Sequence, residues 1–246
     1  MVRYEKKYLV PYRFLESMRS RIKPFVRPDI NASENTHGLP QYTVRSIYLD
    51  TIHLDCHREK TEGVELRKKF RIRSYNDYSS DAVTVFEIKK KIENRIFKHR
   101  AFSTYQCVEP LMETANINKY FHEDDSGEAI DNARRFFYHV RSRNMKPTVL
   151  VVYEREAYHG LLDPGVRVTL DKNIRSSIYP SYNELFRKKG LRHLFPNHFI
   201  LEIKYFSDRM PVWARSLIQE FRLRNEALSK YTIGYDVNTK NHYFIY

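Results

Sequence analysis

Cysteine is nearly absent from this chain of 246 residues, with only Cys56 and Cys107. That excludes a disulfide framework and a cysteine-rich zinc site, and it points to a reducing compartment. Glycine and proline are sparse, at 7 and 10 residues, which excludes collagen-like and low-complexity architectures. No apolar run approaches the ~18–20 residues of a spanning helix. The longest, from Val149 to Tyr153, has the length of a strand. The opening Met-Val-Arg-Tyr-Glu-Lys-Lys has no apolar stretch of the signal-peptide kind. The expectation is a soluble, cytoplasmic protein. No Ser-His-Asp or Cys-His pattern suggests a covalent nucleophile. The 10 histidines show no metal spacing, since His53 and His57 stand four apart with no further ligand nearby.

What the chain has in abundance is positive charge. Lys and Arg number 43 against 30 Asp and Glu, a formal charge of +13. Apolar residues make up 41%, enough for a core, so a disordered tail is excluded. Without repeats or a Ser/Gly/Pro linker, residues 1–246 read as a single domain. The charge calls for a polyanionic partner: nucleic acid, an anionic membrane or a phosphorylated molecule.

Between polar loops at Asp29–Pro40, Asn76–Asp81 and His122–Glu128, many segments alternate with period two, the strand signal. Phe70 and Ile72 alternate with Arg71 and Arg73. Phe86 and Ile88 alternate with Glu87 and Lys89, and Ile96, Lys98 and Arg100 extend a hairpin from them. Val166, Val168 and Leu170 alternate with Arg167, Thr169 and Asp171. Helical patterns lie at Pro11–Phe25, Ala129–Arg141, Tyr182–Lys189 and Val212–Phe221, and Trp213 reads as core. The class is α+β, an antiparallel sheet with peripheral helices.

The polar strand faces repeatedly carry cations: Arg3, Lys7, Arg71, Arg73, Lys89, Lys91, Lys98, Arg100, Arg155, Arg167 and Lys204. Acids on those faces are fewer: Glu5, Glu87, Asp171 and Glu202. Two like charges ~6 Å apart repel by roughly 3 kcal/mol at an effective dielectric near 20. Two arrangements remain open. A sheet with one wet face would screen the repulsion. A closed barrel, charged inside and apolar outside, would need an enclosed anion to offset it. Arg71 and Arg73 stand roughly 7 Å apart on one strand face, and paired guanidiniums grip phosphate oxygens bidentately.

Several segments, in order, match one family. They are Arg3-Tyr4-Glu5-Lys6-Lys7-Tyr8, Ser46-Ile47-Tyr48-Leu49-Asp50-Thr51, Arg71-Ile72-Arg73-Ser74-Tyr75 and Phe86-Glu87-Ile88-Lys89-Lys90-Lys91. Tyr153-Glu154-Arg155-Glu156-Ala157, Arg167-Val168-Thr169-Leu170-Asp171, Leu201-Glu202-Ile203-Lys204-Tyr205 and Ser229-Lys230-Tyr231 follow. The sequence resembles the VTC domain, the polyphosphate polymerase domain of the vacuolar transporter chaperone complex and its bacterial relatives. That domain sits among the triphosphate tunnel metalloenzymes, alongside the CYTH enzymes.

The resemblance implies a closed, eight-stranded antiparallel barrel with a basic interior, binding ATP and polyphosphate. It implies catalytic roles for Lys7, Arg71, Arg73, Lys89, Arg155 and Lys230. Arg3, Lys91, Lys98, Arg100, Arg167 and Lys204 would be further phosphate-binding groups. Glu202 would hold Mn²⁺ or Mg²⁺, hard cations suited to oxygen ligands. Glu5, Glu87 and Asp171 would be supporting ion-pair partners, and Tyr48 and Tyr75 packing or orienting groups. Lys90 would point outward. One departure stands out: CYTH enzymes open with Glu-x-Glu-x-Lys, and Arg3 replaces the first acid here. That disfavours a two-metal hydrolase and favours a tunnel that holds polymer.

The implied activity is metal-dependent phosphoryl transfer from ATP to a phosphate chain. Hydrolysis of tripolyphosphate or nucleoside triphosphates on the same scaffold stays open, as does a non-catalytic polyphosphate binder. Any membrane association would come through a separate membrane protein. Most of the 19 tyrosines sit in strand or helix patterns, and no nucleic-acid motif appears, so no specific nucleic acid is expected.

Overall fold

Side chains alternate across a strand, so a period-two pattern buries one face and leaves the other polar. The chain uses this pattern to build one ten-stranded antiparallel sheet. The computed structural model describes residues 3–30, 32, 38–92, 95–121, 127–206 and 209–239. In chain order come β1 (Tyr4–Pro11), α1 (Leu15–Ile22), β2 (Val26–Pro28), β3 (Gln41–Asp50), α2 (Asp55–Thr61) and β4 (Leu66–Tyr75). Then follow β5 (Val83–Ile92), β6 (Arg95–Thr104), α3 (Val108–Thr114), α4 (Ile117–Tyr120) and α5 (Gly127–Ser142). The last are β7 (Lys146–Gly160), β8 (Arg167–Ile178), β9 (Arg192–His193), β10 (His198–Tyr205), α6 (Val212–Glu220) and α7 (Lys230–Thr239).

The sheet is not closed, which corrects the expected eight-stranded barrel. Its main path runs β1-β10-β8-β7-β3-β4-β5-β6, with β2 on β7 and β9 on β8. No ladder joins β1 to β6 among the described residues. The reason lies at the free edge of β1. The Lys7 N–H donates to Asn225 Oδ1 at 3.2 Å, and the Lys7 carbonyl accepts from the Glu226 N–H at 2.8 Å. The segment before α7 thus occupies the edge of β1 at Lys7, where a closing strand would have to pair. The sheet still curls: Lys89 Nζ on β5 reaches to 3.9 Å from Glu5 Oε2 on β1.

Helices cover the apolar outer face in two clusters. Phe86 and Phe70 of the β5 and β4 faces pack on Phe136 of α5, with ring centroids 5.4 and 6.2 Å apart. Met18 and Ile22 of α1 and Ala214 and Leu217 of α6 cover Val168, Leu201 and Ile203. Burying each large apolar side chain stabilises by roughly 1.5–3 kcal/mol. Trp213 is half-buried: it packs against the margin of the second cluster and stacks on Phe25 at 5.2 Å. Helix α7 lies close on the sheet because Gly234 has no side chain; a Cβ there would meet Val149 Cγ1 at 3.1 Å. That close approach carries Lys230, at the first turn, to the inner face.

The helical patterns differ in outcome. Ala129–Arg141 lies within α5, and Val212–Phe221 becomes α6. Pro11–Phe25 contains α1 between two short 3-10 turns, and Tyr182–Lys189 yields only a 3-10 turn over Tyr182–Phe186. Positions 122–126 of the acidic stretch lie outside the described residues. Among the described residues no helix is long and apolar enough to cross a membrane.

Candidate functional site

The inner face of the curled sheet collects charge from seven strands and α7. On β4, Arg71 and Arg73 point inward two residues apart. Glu87 of β5 stands opposite Arg71 in register, and Arg100 of β6 stands opposite Glu87. Arg71 donates to Glu87 Oε1 at 2.5 Å and Arg100 to Glu87 Oε2 at 2.8 Å. One carboxylate therefore holds two guanidiniums. Burial opposes ionisation of Glu87, but Arg71, Arg73 and Arg100 outweigh it and bring its pKa down to about 2. Tyr48 also orients Arg71: Arg71 donates to its hydroxyl at 3.3 Å. Burial opposes the phenolate, yet Arg71 and Arg73 lower the Tyr48 pKa to about 8. Arg73 donates to Ser46 Oγ at 2.9 Å.

A second group lies across the cavity. Asp171 of β8 is fully buried, accepting from Arg155 of β7 and from Lys230 of α7 at 2.6 Å. Burial would raise its pKa, but those two cations hold it well below the usual carboxylate range. Arg167, four residues earlier on β8 and on the same face, is directed to Asp29 at 2.9 Å.

The third group is lysine-rich. Lys7 Nζ lies 2.9 Å from Glu5 and 3.7 Å from Glu202. Lys204 is hydrogen-bonded to Glu202, and its ammonium is 3.9 Å from Glu5. Despite burial, Lys7, Lys89 and Lys204 hold Glu5 well below the usual carboxylate range. The cations themselves are crowded. Burial lowers Lys89 to about 8, and burial with the neighbouring Arg100 lowers Lys98 to about 8. Burial also depresses Lys204 and Lys69 strongly. An anion in the cavity would reverse each of these shifts.

These groups line an inner cavity of about 190 Å³, which opens into a basic mouth of about 330 Å³. Twelve of the charged residues singled out from the sequence line the inner cavity, including every one of Lys7, Arg71, Arg73, Lys89, Arg155 and Lys230, and Tyr48 and Tyr75 line it with them. Arg3 and Lys91 lie at the mouth instead, while Glu87 and Asp171 stand behind the cations they hold. Lys90 is absent from both cavities and faces Phe97 across the β5–β6 ladder. His57 bonds Asp236 at 3.0 Å and belongs to no metal-ligand set among the described residues.

Sequence reading missed Lys69 and Arg67, although the alternation through Arg73 and Arg71 continues back to both. Lys69 donates to Ser229 Oγ at 2.7 Å. It also missed Asp50, which is buried and accepts from the backbone N–H groups of Thr51, Cys56 and His57 and from the Tyr231 hydroxyl. Asp50 thereby fixes Tyr231, which stacks on Tyr48 at 5.2 Å, and with it the neighbouring Lys230. No local motif marks an acid that acts 181 residues away.

Two observations favour an oxyanion in the inner cavity. Arg71 Nε is buried and has no hydrogen-bond partner among the described residues, and such a donor is costly unless an acceptor arrives. The cations also outnumber the carboxylates that could neutralise them. Protein groups alone do not make a metal cage: among the described residues no cluster of three or more His, Cys, Asp or Glu exists. Glu202 and Glu5 are nonetheless hard oxygen donors within the same cavity. They fit a divalent ion whose remaining ligands are phosphate oxygens and water.

A family model described as the VTC domain matches residues 2–238. No curated protein matches. Among solved structures, the PH1819 protein from Pyrococcus horikoshii OT3 is similar at 14% identity and a TM-score of 0.45, with 93% of this chain and 95% of that chain covered. A chain of the Schizosaccharomyces pombe Mediator head module is similar at 10% identity and a TM-score of 0.45, with 90% and 92% covered.

Proposed function

The chain belongs to the VTC domain family, a family with a polyphosphate-related function, and from that premise we propose that it transfers the terminal phosphoryl group of ATP to a phosphate chain. The observation that carries the proposal is the Arg71–Arg73 pair, inward-facing in a cavity rich in cations, with Arg71 Nε left as a buried free donor. Paired guanidiniums match the equatorial oxygens of a transferring phosphoryl group.

In this reading Arg71 and Arg73 hold the γ-phosphate, and Lys7, Lys89, Arg155 and Lys230 surround the rest of the triphosphate. A terminal oxygen of the acceptor chain forms the new P–O bond. The bond from the γ-phosphorus to the bridging oxygen breaks, and ADP leaves with the electron pair. A phosphate acceptor is already ionised at neutral pH, so no general base is required. Glu87 and Asp171 keep Arg71, Arg155 and Lys230 in place before substrate arrives, so little reorganisation is needed during transfer. Glu202, with Glu5 beside it, would hold Mn²⁺ or Mg²⁺, which when bound supplies positive charge to the phosphate oxygens.

The test is incubation with ATP and Mn²⁺, with orthophosphate and pyrophosphate as primers and the products resolved by chain length. Long chains made by the wild type and lost in Arg71→Ala/Arg73→Ala support the proposal. Orthophosphate as the sole product overturns it in favour of hydrolysis. Tripolyphosphate binding without turnover overturns it in favour of a binding module.

A further inference from the structure

The outer part of the mouth carries three cations that the protein leaves without an ion pair among the described residues. Lys60 of α2, Arg67 of β4 and Lys91 of β5 line it together. None of the three has an ion pair or side-chain hydrogen bond among the described residues. Deeper in, several cations are matched, Arg167 with Asp29, Arg155 with Asp171 and Arg100 with Glu87. The contrast gives the cavity a direction.

The strand register sharpens it. Arg67 stands directly opposite Lys91, and Lys69 directly opposite Lys89. Like charges in such cross-strand pairs destabilise a sheet. At the inner pair, Glu5 comes to 3.9 Å from Lys89; at the Arg67–Lys91 pair no acid lies within ion-pair distance among the described residues, and Glu5 acts on Lys91 only from further away. Burial, reinforced by the neighbouring Arg67, lowers the affinity of both Lys60 and Lys91 for their protons. The mouth is continuous with the inner cavity, sharing Glu5, Lys7, Lys69 and Lys89 with it. From Lys69 to Arg67 the strand advances roughly 7 Å.

We propose that Lys60, Arg67 and Lys91 form a second polyanion subsite, which holds the phosphate chain where it leaves the inner cavity. The proposal rests on reading the inner cavity as a phosphate site. The subsite engages chains too long for the interior and leaves tripolyphosphate untouched. It also sets the exit: the chain leaves between α2 and the β4–β5 hairpin, not past Arg167.

The experiment compares tripolyphosphate with a polyphosphate of tens of units, by calorimetry without metal. The proteins are the wild type, Lys60→Gln/Arg67→Gln/Lys91→Gln, and a charge-matched control, Arg134→Gln/Arg135→Gln/Arg141→Gln on α5. The mouth variant is expected to lose about tenfold in affinity for the long chain, as three partly exposed charge contacts would give. Its tripolyphosphate affinity should stay within about twofold, and its salt dependence on the long chain should be shallower. It should also melt higher than the wild type without ligand, because the unmatched pair is relieved. Equal losses for both ligands, no loss for either, or an equal loss in the α5 control would overturn the proposal. A wild type that binds no tripolyphosphate would overturn the inner-cavity reading itself, and this one with it.

Discussion

Arg155 and Asp171 face each other across the β7–β8 ladder and are joined by two parallel hydrogen bonds, Nε to Oδ1 at 2.6 Å and Nη2 to Oδ2 at 2.7 Å. Asp171 also receives Lys230, so a single buried carboxylate ties a sheet cation to a helix cation.

Asp171→Asn removes that charge and leaves Arg155 buried beside Lys230. Breaking a buried pair in this way costs about 3–5 kcal/mol. For a domain of this size the melting temperature should fall on the order of 10 °C. Tripolyphosphate should then raise melting more in the variant than in the wild type, since it supplies the missing negative charge. Differential scanning calorimetry with and without tripolyphosphate checks both; an unchanged melting temperature would show that the pair is not a structural support.

The crowded lysines predict a pH dependence of definite sign. Lys89 and Lys98 each titrate at about 8 in the free protein, and near 10.4 when unfolded. Between those values the unfolded chain binds more protons, so the ligand-free protein gains stability as pH rises from about 8. A bound polyanion favours the protonated lysines, so tripolyphosphate affinity is full below about pH 8 and falls above it. Ionisation of Tyr48 near the same pH weakens anion binding further. Melting curves and binding isotherms from pH 7 to 10 should therefore move in opposite directions.

Glu202 stands among ammonium groups, which gives its removal two separable effects. Glu202→Gln frees Lys204 and leaves Lys7 with Glu5 alone, so tripolyphosphate should bind several-fold more tightly in the absence of metal. If Glu202 holds Mn²⁺ as proposed, the ion should enhance binding of ATP far less, since Glu5 would be the one carboxylate left to it. Calorimetry with and without Mn²⁺ reads both. Unaltered enhancement by Mn²⁺ would remove Glu202 from metal binding.

Much of this site was legible because the strands alternate so regularly. Arg71 with Arg73, and Glu87 with Lys89, are fixed to one face by period two alone, and the structure puts them there. Continuing the same count by two and four residues would have added Lys69 and Arg67. Closure of the sheet was not legible, because it depends on which group meets the edge of β1. The winner there is Asn225, through its side-chain Oδ1, and Glu226, through its backbone N–H, both more than 200 residues distant, a meeting that no local pattern encodes. Pairing was equally hidden. The alternation places Arg167 inward, and continued back from Arg71 it would place Arg67 there too, but only the structure shows that Arg167 meets Asp29 while Arg67 stands opposite Lys91. Asp50 gives no periodic signal because it acts through α2 and Tyr231 and not through its own strand.

The central claim is that the inner cavity is an oligophosphate site built on the Arg71–Arg73 pair, and calorimetric titration of tripolyphosphate tests it most directly. The wild type should bind a single equivalent with marked salt dependence. Arg71→Ala/Arg73→Ala should lose at least about a hundredfold, at roughly 1.4 kcal/mol per tenfold, while circular dichroism confirms that it stays folded. A wild type without measurable binding, or a folded double variant that binds as tightly, would contradict the account.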